Sequence, residues 1–99
     1  MVTVQTRFSG VIRPMVRRER EEFTLPDEAT YRDLVQAWVA QYGPNLARLL
    51  LTSEGELRGF AKMYCDGEEI RGESVDLPIA RTGAITEVRV VVFAASAGG

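Results

Sequence analysis

The residues with the clearest chemical potential are the last two, Gly98 and Gly99. Neither has a Cβ, so a carboxylate at the end of this pair has the thinnest cross-section a peptide offers and can thread a narrow channel. A carboxylate is itself a poor acyl donor, because its charge repels nucleophiles and its leaving group is bad. Joined to AMP it becomes a mixed anhydride that a thiolate or persulfide can attack. Such chemistry would reside on a partner enzyme, with this chain supplying the acyl group. The plainer alternative is a frayed end. Two features weigh against it. With glycine near 7% of residues, a closing Gly-Gly arises by chance in about one chain in two hundred. Residues Ala94 to Gly99 also hold no charge, no large side chain and no proline, in a chain that is 26% charged.

The remaining reactive groups offer less. There is no histidine, which excludes Ser-His-Asp triads, Cys-His pairs and imidazole metal sites. The single cysteine, Cys65, can form no internal disulfide. It sits at the end of a strand-like alternation and reads as a buried small hydrophobe. With only Lys62, arginines and carboxylates left, the chain reads as a protein co-substrate and not as an enzyme, with no metal and no cofactor of its own. A net charge of -2 argues against a nucleic-acid or anionic-membrane partner. No apolar run is long enough to cross a bilayer. Thr3, Gln5 and Arg7 interrupt the first apolar stretch, so it does not read as a leader, and a cytoplasmic location is expected.

These groups need a scaffold to present them. Ninety-nine residues with 45% hydrophobic content describe one globular domain, able to bury roughly 60% or more of its unfolded surface. "MVTVQTRF" alternates as a half-buried strand, and "SGVIRPM", Ser9 to Met15, reads as a loop. "VRREREEFTL" reads as a second strand pairing back on the first, its charge run from Arg17 to Glu22 being a solvated, protected edge. Thr30 with Asp33 forms a capping-box variant that opens a helix over Tyr31 to Tyr42, closed by Gly43 and Pro44. Leu34, Val35, Trp38, Val39 and Tyr42 recur along one side of it. "NLARLLL" adds a short helical piece. "FAKMYCDGEEI" reads as a strand with Ala61, Met63 and Cys65 on one face and Phe60, Lys62 and Tyr64 on the other, turning at Asp66-Gly67. "GESVDLPIARTGA" is loop-like, and "ITEVRVVVF" closes with Val88, Val90 and Val92 on one face and Arg89, Val91 and Phe93 on the other. The valine-rich first and last strands belong at the sheet centre. The outline is α+β: a mixed sheet of four to five strands with one main helix on one face, that is, a β-grasp domain over 1–93 with a flexible Gly-Gly tail over 94–99.

With this outline, the chain resembles the MoaD/ThiS family of sulfur-carrier proteins, relatives of ubiquitin. The resemblance rests on the order of "VTVQTRF", "LPDEATYRDLV", "QYGPNLARLLL", "ELRGFAKMYCDGEEIR" and the terminal "AGG", and it spans nearly the whole chain. It implies that an E1-like adenylyltransferase uses ATP to adenylate Gly99, with Gly98 as its slim neighbour. A persulfide donor then converts Gly99 to a thiocarboxylate, whose sulfur passes to an acceptor synthase. Length and the "ELRGFAKMYCDGEEIR" stretch resemble the longer carriers of molybdopterin, cysteine or natural-product synthesis, molybdopterin foremost, more than the thiamin carriers. The chain departs from many members in having Ala94-Ala95 where they carry two prolines, and "TGAITEV" where they carry an Asp-Gly-Asp turn.

A glycine pair gives a partner little to discriminate, so docking also needs a surface. The sheet face away from the helix presents Phe60, Tyr64, Val91 and Phe93, with Arg89 and Arg7 at its rim, and Ala97 accompanies them from the tail. Aromatics with arginines are what interface centres favour; core-edge or scattered surface residues are the plainer account. Two other functions share the outline. One is a ubiquitin-like modifier conjugated to a lysine through Gly99; the other is a non-catalytic β-grasp binding module with an inert tail.

Overall fold

The computed structural model describes residues 1–81 and 83–93. The tail over 94–99, with Ala97, Gly98 and Gly99, lies outside them. Five strands and three helices follow one another as β1 (Val2–Gly10), α1 (Arg13–Val16), β2 (Arg20–Leu25), α2 (Tyr31–Tyr42), α3 (Pro44–Leu50), β3 (Ala61–Cys65), β4 (Glu68–Ile70) and β5 (Thr86–Val92), with a 3-10 helix over Gly72–Asp76. The strands form one sheet in the order β2-β1-β5-β3-β4. All neighbours are antiparallel except β1 and β5, which run parallel at the centre. The architecture is the α+β arrangement expected, with five strands.

Local rules account for most boundaries. In β1, Val2, Val4, Thr6 and Phe8 are buried while the intervening residues are half-buried, the period-two signature of a strand with one covered face. The reciprocal capping box opens α2: the Asp33 amide donates to Thr30 Oγ1 (3.1 Å) and the Thr30 amide donates to Asp33 Oδ2 (2.9 Å). Gly43 at φ +99 ends the helix, and Pro44 starts α3 where its missing N–H costs nothing. Asp66 and Gly67 both take positive φ, 50° and 87°, as a two-residue hairpin turn between β3 and β4 requires.

Two stretches differ from the sequence expectation. Ser9 to Met15 is not a loop throughout: β1 continues to Gly10, and Arg13–Val16 form a helical turn that buries Ile12 and Val16. Pro14 falls at the start of that turn, where proline is tolerated. β2 therefore begins only at Arg20. The loop-like stretch after Arg71 holds the 3-10 helix, which buries Val75. Arg32 on α2 holds it in place, donating from Nε to Asp76 (2.6 Å) and from Nη1 to the Gly55 carbonyl (2.6 Å).

The core lies between the sheet and α2 with α3. Trp38 is fully buried, and its indole N–H donates to Thr6 Oγ1 at 3.0 Å, so helix and sheet are joined by a hydrogen bond inside the core. Phe8 packs edge-on to both Trp38 and Tyr42, with centroids 5.9 and 5.5 Å apart. Such aromatic pairs add roughly 0.5–1.5 kcal/mol beyond the area they bury. The Tyr42 hydroxyl donates to Glu21 (3.2 Å), tying α2 to β2. Burial, and then the Glu21 carboxylate, push this phenol up to about 12, so it remains a donor at neutral pH. Among the described residues, no helix is long and apolar enough to cross a membrane.

Thr6→Val keeps the shape but leaves the buried indole N–H without an acceptor, at a cost of about 1–3 kcal/mol. Urea melts should show a lower midpoint with an unchanged slope, whereas Thr6→Ser, which keeps the acceptor, should lose about half as much or less.

Candidate functional site

The chain is delivered to its final segment by a tightly specified crossing at one end of the sheet. The Val92 carbonyl accepts from the Val11 amide (2.9 Å), and the Phe93 amide donates to the Phe60 carbonyl (2.9 Å). Gly10, opposite Val92 in the register, has φ +80. A Cβ there would overlap the Val92 carbonyl oxygen and lie 2.9 Å from its carbon, so only glycine lets the two strands meet. Phe93 thus leaves the sheet between the Gly10-Val11 corner and the turn before β3. It is 52% exposed, and Val11 (45%) and Met15 (40%) stand exposed on the corner and helical turn that follow Gly10.

Val11 and Met15 are not among the candidates that the sequence singles out. A signal for them exists in "VIRPMV". Ile12 and Val16 form one i,i+4 pair and Val11 and Met15 another, so a single helical turn buries the first pair and exposes the second. Gly10 and Pro14 mask that pattern.

The helix-free face carries several of the expected residues together. The register places Arg7 beside Arg89, Ser9 beside Val91, Arg89 beside Tyr64 and Val91 beside Lys62. Ser9, Tyr64, Glu87, Arg89, Val91 and the Asp66-Gly67 turn line an open groove of about 510 Å³. Arg89 is exposed, while Val91 and Tyr64 are half-buried. Lys62 is held by Glu69 at 3.6 Å. Phe60 sits apart from this group. It lies in the turn before β3, is half-buried and packs against the core, and its carbonyl accepts the Phe93 amide. The Ala97, Gly98 and Gly99 positions fall outside the described residues.

Cys65 is 5% exposed, and burial pushes its thiol up from the ordinary value, which leaves it protonated and unreactive at neutral pH. Neighbouring Tyr31 is committed to structure, its hydroxyl accepting from the Ala80 amide at 3.1 Å. Among the described residues, no group of His, Cys, Asp and Glu side chains is placed to hold a metal ion.

Gly10→Ala combines the overlap with Val92 and a left-handed backbone, and should cost about 3 kcal/mol. Amide exchange should rise first at Val11 and Phe93, whose hydrogen bonds flank the crossing. Phe93→Ala removes a side chain that is half outside, so thermal melts should place the loss below about 1 kcal/mol. A loss of several kcal/mol would show that Phe93 belongs to the core.

No protein-family model matches the sequence, and no curated protein matches it. Solved structures do. Small archaeal modifier protein 1 of Haloferax volcanii superposes with a TM-score of 0.77 at 16% identity, over 94% of this chain and 99% of that one. The HVO 2177 protein of the same organism gives 0.76 at 23% identity, over 99% of this chain and 87% of that one. A chain of the BexX/CysO complex from Amycolatopsis orientalis gives 0.69 at 18% identity, over 97% and 99% respectively. The chain has the ubiquitin-like β-grasp fold.

Proposed function

We propose that this chain is a sulfur-carrier protein whose Gly99 carboxylate is the working group. In this reading an E1-like adenylyltransferase transfers AMP from ATP to the carboxylate, releasing pyrophosphate. The terminal sulfur of a persulfide then attacks the acyl carbon and expels AMP. A thiol cleaves the resulting S–S bond, leaving a thiocarboxylate on Gly99 and a disulfide on the donor. An acceptor synthase takes the sulfur, with molybdopterin synthesis favoured over cysteine or natural-product routes. The chain itself contributes presentation. The body over 1–93 docks, the segment over 94–99 reaches about 20 Å when extended, and Gly98 lets the end pass through a narrow opening. Phe93, Val91, Tyr64, Arg89 and Phe60 are the docking residues in this reading, Phe60 from the turn whose carbonyl accepts the Phe93 amide, with Ala97 within the channel.

The observation that carries the proposal is the crossing of Gly10 and Val92. It commits the last central strand to end at an exposed Phe93, immediately before six small residues closing in Gly-Gly. A β-grasp fold shared with a modifier protein and with a chain of the BexX/CysO complex supports the same class. The likeness to small archaeal modifier protein 1 also favours a second reading, in which Gly99 forms an isopeptide bond with a lysine of a target protein.

The test is intact mass after incubation with an E1-like enzyme, ATP and a sulfide source, using an enzyme proven on another carrier and then the chain's own genomic neighbour. A gain equal to oxygen replaced by sulfur is expected, and the chain lacking Gly99 should melt at the same temperature yet gain nothing. Loading that survives the deletion overturns the proposal. Covalent adducts at target lysines, with no sulfur gain, would establish the modifier reading instead.

A further inference from the structure

The open face of the sheet carries arginines from three adjacent strands in one row. Arg20 of β2 lies beside Arg7 of β1, and Arg7 lies beside Arg89 of β5, with Tyr64 of β3 next in line. Strands lie about 4.8 Å apart, so the three side chains start within roughly 10 Å of one another. Arg20 and Arg89 are exposed, and among the described residues neither forms an ion pair. Arg7 has one partner, Glu19, at 3.9 Å. Among the described residues, the other acids of this face do not reach Arg20 or Arg89 as ion-pair partners, although Glu69 closes the row beyond Tyr64. Glu22 and Glu87 flank Gln5 in the next row, and Glu69 is engaged with Lys62.

Like charges directly opposite one another destabilise a sheet. Here two such pairs share Arg7, in a chain whose net charge is -2. Among the described residues Arg20 and Arg89 gain no ion pair from the arrangement, whereas a carboxylate-bearing partner gains from each unpaired guanidinium, whose planar fork matches a carboxylate in two-point contact. We propose that the row Arg20-Arg7-Arg89 is a docking strip for an acidic segment of a partner protein. This deepens the carrier reading and rests on it for the partner's identity as the enzyme that receives the tail. Arg89 precedes Phe93 by four residues, or about 13 Å of strand. A partner seated on the strip therefore holds the tail root within reach of a catalytic pocket while the tail extends about 20 Å beyond. The strip is one row wide and bordered by Glu22 and Glu87, which favours a short acidic segment over a phosphate backbone.

The probe is a short oligoglutamate peptide, titrated into the isotope-labelled full chain and followed by NMR. Resonances of Arg7, Arg20, Arg89 and Tyr64 should shift saturably, and the shifts should vanish at about 0.5 M salt. The double change Arg20→Glu, Arg89→Glu should weaken binding by about tenfold or more. Because it turns like pairs into opposite pairs, its melting temperature should be unchanged or higher, so lost binding is not lost folding. Arg71→Glu, on the far side of the sheet from β2, is the charge-matched control and should leave binding unchanged. Shifts spread evenly over Arg13, Arg48, Arg58 and Arg71, or no saturable shift, would overturn the strip. Tighter binding of a single-stranded oligonucleotide of equal charge would overturn the protein partner. Repeating the titration without Gly98-Gly99 separates the two readings: a strip that binds in a chain that no enzyme loads survives the failure of the carrier proposal.

Discussion

The structure depends on the parallel pairing of β1 with β5 and on the close approach of Gly10 to the Val92 carbonyl where that pairing ends. These strands come from opposite ends of the described chain yet are neighbours at the sheet centre. A parallel pair needs a long crossover, and everything between them is that crossover: the β1–β2 hairpin edge, the helices that cover one face, and the β3–β4 hairpin on the far side of β5. Joining residues so distant in sequence costs loop-closure entropy before any contact rewards it. The reward is concentrated in the same strands. Val4, Thr6 and Phe8 of β1 and Val88, Val90 and Val92 of β5 are all buried beneath the helices, and Thr6 also holds Trp38 through the indole.

One consequence is a division of labour between the two faces. The covered face is closed chemically: its hydroxyls are paired, its thiol is buried and protonated, and its aromatics are locked edge to face. The other face, with the end of the sheet, keeps what a partner could use. It holds a row of arginines, Arg20 and Arg89 exposed and Arg7 half-buried, a half-buried valine and tyrosine, and an exposed phenylalanine at the point where the chain departs.

Features governed by neighbours in sequence are legible in the residues themselves. The Thr30-Asp33 box, the Gly43-Pro44 stop and the Asp66-Gly67 turn each depend on a few adjacent residues whose backbone preferences are strong. The strand alternations are equally plain, because burial on one face imposes a period of two. The turn over Arg13–Val16 is harder to read. Four residues are too few to show a period, and the flanking glycine and proline both act as loop signals. Extending the β3 alternation back to Phe60 carries it one residue too far, into a turn where that side chain folds against the core.

Sequence alone determined the class of fold, the ends of α2, most of the strand faces and the absence of imidazole chemistry, because these follow from residue type and local spacing. Tertiary structure decided which strands lie side by side, and with that everything that depends on register. No pattern within β1, β2 or β5 announces that Arg7, Arg20 and Arg89 share a row, nor that Gly10 is glycine because Val92 passes against it. Those facts concern residues up to 82 positions apart in the numbering, brought to contact distance by a hydrogen-bonded ladder whose offset is set by the packing of the covered face.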